Sequence, residues 1–277
     1  MSEPPPRLLG RLAVRNTSSP SEREWERATV LEPRAVSREP EFVSDGSGLP
    51  FAASLLEPPF QPLDTDDPAV GALLAALARQ GKAKPKSSGA SKLPWRRGSA
   101  PPAPPAPPAP APAPSLDGWR EAARTDEEVL FAAGRMPRLV TVSVRRERRD
   151  WSCVAVSSGR PLRATRDGIR ASGWRLDPTR ELDPADRELR ILVTEQTWAG
   201  GRWADDRLLA PDLYIGADEL VVTTFVTPRQ GYQVRSPNPE TPARIVLPGP
   251  VGSRRVLDGA LYGDPDADRR TAGDQGA

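Results

Sequence analysis

Apolar residues in the second half of the chain fall in short runs with a period of two, parted by turn chemistry. The runs are "RLVTVSVR", "DWSCVAVSSG", "DGIRASGWRLD", "ELRILVTEQTW", "DRLLAPDLYIG", "ELVVTTFVTP" and "ARIVLPGPVG", with Ser-Gly, Asp-Gly, Asp-Pro and Gly-Gly pairs between them. Runs of this length, rich in β-branched residues and bounded by such pairs, predict strands joined by short turns. In "LVTVSV", Val140, Val142 and Val144 share one face and Thr141 and Ser143 the other, the alternation of a pleated strand. Residues 220–226 are apolar on both faces, which predicts a central strand. No long helical period interrupts the series, so a parallel α/β topology is not expected. The expected fold class is all-β: an antiparallel β-sandwich over residues 116–264, preceded by a long disordered Pro/Ala-rich N-terminal region. The lead-in "SLDGWREAARTDEEVLFAAG", from Ser115, reads either as a helix or as a loosely ordered segment.

A period of 3.6 occurs once, in "DDPAVGALLAALARQG". Asp67 is a good N-cap, Pro68 suits the first helical position, and Gly81 can end the helix in the left-handed region. Val70, Leu73, Leu74 and Leu77 then form one apolar stripe. A helix over 68–80 of this length is marginal alone, so its stripe needs a partner surface, in this chain or in another protein.

Composition sets the outer limits. With 34 prolines and a mean hydropathy of -0.53, residues 1–100 do not hold enough apolar surface for a core, and the short islands "LLGRLAV" and "PFAASLLEPPF" read either as incidental or as docking motifs. "PPAPPAPPAPAPAP" is expected to form a polyproline-II rod of about 43 Å, a spacer over 101–115. Residues 265–277 read as a disordered tail.

Histidine is absent and Cys153 is the single cysteine. That excludes Ser-His-Asp and Cys-His nucleophilic sites, Cys/His zinc sites and an intramolecular disulfide. No cofactor and no metal are expected. No apolar run approaches the roughly 20 residues of a membrane span, nor does the start carry a signal-peptide core, so a cytoplasmic protein is expected.

From Leu116 onward basic and acidic residues balance, which gives no steering field for nucleic acid. The four lysines, Lys82, Lys84, Lys86 and Lys92, all fall in "GKAKPKSSGASKLPWRRG". With Trp95, Arg96 and Arg97 they form a candidate polyanion-binding segment, set against a plain flexible basic linker.

Candidate chemistry concentrates in "TEQTWAGGRWADDR", residues 194–207. As a hairpin turn, its glycines permit positive φ and Trp198 and Trp203 form a cross-strand pair. As a ligand platform, the two indoles stack on a sugar or peptide, completed by Trp151 or Trp174, with Arg202, Asp205 and Asp206 as polar contacts. As a hydrolase, Glu195 and Asp205 or Asp206 would be the acid and base. "RRERRDW" reads as a solvated hairpin tip, or as an anion grip through Arg145, Arg146, Arg148 and Arg149. Cys153 is expected to point inward as a small apolar residue.

Two stretches, "ILVTEQTWAGGR" and "NPETPARIVLPGPVGSRRVLDG", together resemble the closing portion of a group of actinobacterial β-sandwich proteins, many of them exported, over residues 139–262. Cysteines tend to stand in that group where Trp198 and Arg235 stand here. The resemblance implies the fold and no activity. The division into arm, spacer and sandwich leads to the expected role, a non-enzymatic adaptor or assembly protein, its arm engaging another protein through the 68–80 helix and its sandwich engaging a second partner or anchoring the chain. The alternative is a glycan- or peptide-binding sandwich, and after that the carboxylate hydrolase.

Overall fold

A computed structural model describes residues 20–81, 115–231 and 233–263. In chain order the elements begin with α1 (Glu22–Arg27), β1 (Thr29–Leu31), β2 (Arg34–Ala35), β3 (Phe42–Ser44), β4 (Phe51–Ala52) and a 3-10 turn over Ala53–Leu56. Next come α2 (Pro68–Gly81), β5 (Trp119–Arg124), β6 (Glu128–Ala133), β7 (Val140–Glu147), β8 (Asp150–Ser158), β9 (Leu162–Arg166) and β10 (Ile169–Leu176). The last are β11 (Glu188–Thr194), β12 (Asp212–Ile215), β13 (Glu219–Phe225), β14 (Thr241–Val246), β15 (Arg255–Asp258) and β16 (Leu261–Tyr262). The protein is mostly β, with sheets built chiefly from antiparallel ladders. It divides into two compact units, and β10 carries the chain from one into the other.

A helix-backed unit comprises described residues 39–81, 115–170 and 261–263. Its centre is the antiparallel meander β5-β6-β7-β8. The helix α2 covers one face: Val70, Leu73 and Ala76 pack on Val129, Phe131, Val142 and Val144. On the other face, Leu130 and Ala132 meet Val43, Phe51 and Leu162 from β3, β4 and β9. Strand β6 is thus buried on both sides, which explains its nearly continuous apolar run. Asp67 Oδ1 caps α2, accepting from the Ala69 N–H at 2.8 Å. A 14-residue helix gains most of its stability from such an apolar face, each fully buried Val or Leu contributing about 1.5–3 kcal/mol.

Turn chemistry behaves as its residues dictate. Asp167 and Gly168 link β9 to β10 with φ of 52° and 76°, the two positive values that a type I′ hairpin needs. "RRERRDW" is the exposed tip of the β7–β8 hairpin, with Arg148 at φ 59°. Arg145 is already engaged, since its Nη2 donates to Glu128 at 2.9 Å. Cys153 is half-buried against the helix side of the meander.

The polar face of β7 does not meet solvent. The loop at Asp45–Gly48 lies over it, and buried Asp45 accepts from Thr141 Oγ1 at 2.5 Å, from Ser47 Oγ at 2.7 Å and from the Ser47 N–H at 2.8 Å. Burial pushes the Asp45 carboxyl upward, yet the hydrogen bonds from Thr141 and Ser47 outweigh it and hold the group below the usual aspartate range.

A split unit comprises described residues 20–38, 171–231 and 233–260. Strands β1-β14-β11-β10 form one set, and β2, β12, β13 and β15 the other. Within this unit the sets pair only where Ala171 and Ser172 of β10 face Phe225 and Thr224 of β13. Trp174, Ile191, Val193 and Ile245 from the first set share one core with Leu213, Leu220, Val222 and Val256 from the second. β13 lies between neighbours on both sides, as its two apolar faces require.

The expected arm over 1–100 is corrected for residues 20–81. They supply α1, α2 and four short strands, and β1 and β2 pair parallel with β14 and β12. The expected single domain over 116–264 is likewise two units that both draw on the N-terminal segment. "WREAAR" and "EEVLFAA" are the strands β5 and β6, neither helix nor loose lead-in. Residues 1–19, the lysine-rich segment with Trp95, Arg96 and Arg97, the proline run and the C-terminal tail lie outside the described residues. Among the described residues no helix is long and apolar enough to cross a membrane.

Candidate functional site

Residues 195–211 connect β11 to β12 within the split unit. These strands belong to different sets: β11 pairs with β10 and β14, and β12 with β13 and β2. The segment is therefore a crossover and not a hairpin turn, which removes the cross-strand reading of Trp198 and Trp203.

The loop repeats one device. Each tryptophan precedes an alanine, and each alanine is buried with its N–H captured by a side-chain oxygen of the segment leading into β14. Ala199 donates to Asn238 Oδ1 at 3.0 Å and Ala204 to Thr241 Oγ1 at 2.9 Å. Pinning the small residue inward turns its bulky neighbour outward. Trp198 is 52% exposed and Trp203 43%, high values for a residue type that normally buries most of its surface.

An ion pair closes the base of the loop. Arg207 donates from Nη1 to Glu195 Oε1 and from Nη2 to Oε2, both at 2.7 Å, and from Nη1 to the Thr227 carbonyl at 2.9 Å. Thr197 Oγ1 adds a donor to Glu195 Oε1 at 2.9 Å. Hydrogen bonding to the Glu195 carboxylate raises the Arg207 pKa. Asn238 binds a second time through Nδ2, donating to the Glu195 and Thr197 carbonyls. Gly200 and Gly201, at φ 68° and 72°, complete the tight path between the indoles.

Other residues expected at the site divide. Arg202, Asp205 and Asp206 are exposed on the same loop. The Asp205 carbonyl accepts from Thr29 Oγ1 at 3.0 Å, tying the loop to the N-terminal segment. Trp174 lies in the core, its Nε1 donating to the Val222 carbonyl at 2.9 Å, and Trp151 packs beneath α2 in the other unit. Trp174, buried in that core, does not complete a platform with Trp198 and Trp203. Glu195 is buried in a bidentate pair with hydrogen bonds to both oxygens, so it is an anchor and not an acid poised over a substrate.

No family model, curated protein or solved structure matches this chain. The site is read from its own geometry. Arg207, Asn238 and Thr241, the residues that fix the loop, carried no local signal in the sequence, because their partners lie 12, 39 and 37 residues away. The repeated Trp-Ala dipeptide was the visible trace of them.

The stripe of α2 is settled differently. Val70 and Leu73 are fully buried on the chain's own meander and Leu77 packs at its edge, while Leu74 is half-buried. This corrects its assignment as a docking surface for another protein.

Proposed function

We propose that the protein acts by binding and not by catalysis, with the Trp198–Trp203 loop as the recognition surface for a segment of another protein. The observation that supports this most directly is the pair of outward indoles on a loop held by an ion pair, Asn238 and Thr241. Interfaces concentrate their energy in Trp, Tyr and Arg. Tryptophan also presents a large area with only two torsions to restrain, and a pre-fixed loop loses little further freedom on binding. Arg202 between the indoles and exposed Val234 in the neighbouring segment give the surface a mixed composition suited to a peptide. In this reading the split unit is a β-sandwich, its two strand sets closing on one core, and the loop stands at the crossover between them.

The adaptor role keeps its non-enzymatic character but moves its recognition element from the 68–80 helix to this loop. The test is selection of displayed peptide fragments on the immobilised full chain, repeated with Trp198→Ala and Trp203→Ala and run beside a glycan array. A hot-spot tryptophan lowers affinity by about 30-fold or more on truncation, about 2 kcal/mol. Selected peptides that bind both variants as well as the parent would remove the loop from recognition. Tryptophan-dependent glycan binding with no peptide selected would assign the surface to sugars.

A further inference from the structure

A cleft of about 530 Å³ opens in the helix-backed unit between the extended segment at 54–67 and strand β5, with Val70 of α2 in its wall. Its lining is mixed: Leu55, Phe60, Leu63, Val70 and Ala122 give it an apolar side, and polar and acidic residues supply the rest. That volume is within the range of small-ligand sites. Arg120 lines the same cleft and is only 3% exposed.

The guanidinium of Arg120 is under-partnered. Nη2 donates to the Gly134 carbonyl at 3.2 Å, but Nε and Nη1 are buried without a hydrogen-bond partner. The Phe60 ring covers the guanidinium carbon, its centroid 4.3 Å away. Among the described residues no carboxylate pairs with this side chain, whereas Arg124 at the cleft's edge binds both Asp67 and Glu121. Burial, reinforced by the charge of Arg135, lowers the Arg120 pKa. Arginine nevertheless keeps its proton in proteins, so it cannot relieve the strain by becoming neutral. A buried cation with unpaired donors beside a partly apolar cleft is relieved by an anion that brings its own apolar body.

We infer that this cleft binds an apolar carboxylate, whose headgroup displaces the Phe60 ring from Arg120 and whose hydrocarbon body lies against Leu55, Leu63 and Val70. One buried cation matches one negative charge. Glu57, Asp64, Asp67 and Glu121 also line the cleft, Asp67 and Glu121 being paired with Arg124. This acidic surround opposes a dianion such as a phosphate ester more strongly than a monoanion. The site is independent of the tryptophan loop, which belongs to the other unit.

The experiment is calorimetric titration of the full chain with octanoate, octyl phosphate, octanol and octylamine. Octanoate is expected to bind at least about tenfold more tightly than the other three, the ratio set by about one charge-assisted hydrogen bond. Arg120→Met should abolish that preference, bringing octanoate down to the level of octanol. Should Arg120→Met fail to fold, Leu55→Glu removes an apolar contact from every ligand but adds a fixed anion that only octanoate and octyl phosphate meet, so octanoate should weaken more than octanol. Equal binding of octanoate and octanol overturns the role of Arg120, and preference for octyl phosphate overturns the carboxylate assignment. No binding by any of the four up to about 10 mM, weaker than a millimolar site of about -4 kcal/mol, overturns the site itself.

Discussion

Arg207→Met tests whether the tryptophan loop is held by its buried ion pair. The Glu195 side chain is 3% exposed and that of Arg207 14%, so removing the guanidinium leaves a buried carboxylate without its cation, the Thr197 hydroxyl still donating to Oε1. An unpaired buried carboxylate either stays ionised at a higher penalty or takes up a proton. A glutamate in the unfolded chain titrates near about 4.3, so at pH 7 protonation costs about 2.7 × 1.36, or about 3.7 kcal/mol. This falls within the roughly 3–5 kcal/mol typical of a broken buried pair. The sign with pH follows. The variant's carboxyl has a raised pKa in the folded state, so its penalty is full at neutral pH and shrinks as pH falls, to about 1 kcal/mol at pH 5. The double variant Glu195→Leu/Arg207→Met removes both charges together and should lie within about 1–2 kcal/mol of the parent. Urea unfolding at pH 7 and pH 5, followed by tryptophan emission, reads these differences. A single-variant loss below about 1 kcal/mol at pH 7, or one that does not shrink at pH 5, would refute the clamp.

Further predictions follow from the packing and the buried polar groups. Asp45 is held below the usual aspartate range, so the stability it contributes is present above its unfolded pKa of about 3.9 and lost as pH falls through its lower folded value. Asp45→Asn should flatten the acid limb of a pH–stability curve. Leu73→Ala should destabilise the helix-backed unit by about 2–5 kcal/mol in denaturant titrations, because that side chain is fully buried between α2 and the meander. Gly259→Ala should lose about 1–3 kcal/mol in the same assay, since its Cβ would stand 2.3 Å from Thr223 Oγ1 and 2.8 Å from Val221 Cγ1. Trp198→Ala and Trp203→Ala, on half-exposed residues, should leave the unfolding midpoint within about 0.5 kcal/mol of the parent.

What could be read in the sequence depended on how local the determining interaction was. All seven runs contain strands, and α2 begins where Asp67 and Pro68 place it, because alternation and caps act over a few residues. "WREAAR" misled because alanine, glutamate and arginine favour helices when nothing else decides. As β5, the same residues place Arg120 and Ala122 inward, a choice made by the meander and not by propensity. Strands β1 and β2 have three and two residues, too few for any period. They exist because β14 and β12 offer them an edge, and those strands lie some two hundred residues later. The buried Asp45 hid behind "SDGSG", which has the composition of an ordinary surface turn. The two tryptophans stand out in the sequence, but their outward stance follows from Asn238 and Thr241, which no spacing connects to them.

The parallel pairing of β1 with β14 has a consequence for how the chain is made. Residues 29–31 leave the ribosome first of the split unit's strands, and their partners at 243–245 leave among the last. At roughly 5–20 residues per second, synthesis of the intervening stretch takes on the order of ten seconds or more. During that interval the helix-backed unit, nearly continuous in sequence, can close around its meander. The earliest strand must meanwhile wait unpaired for the strand that will hold it, and a codon change that slows this stretch prolongs its exposure to chaperones and proteases without altering a single residue.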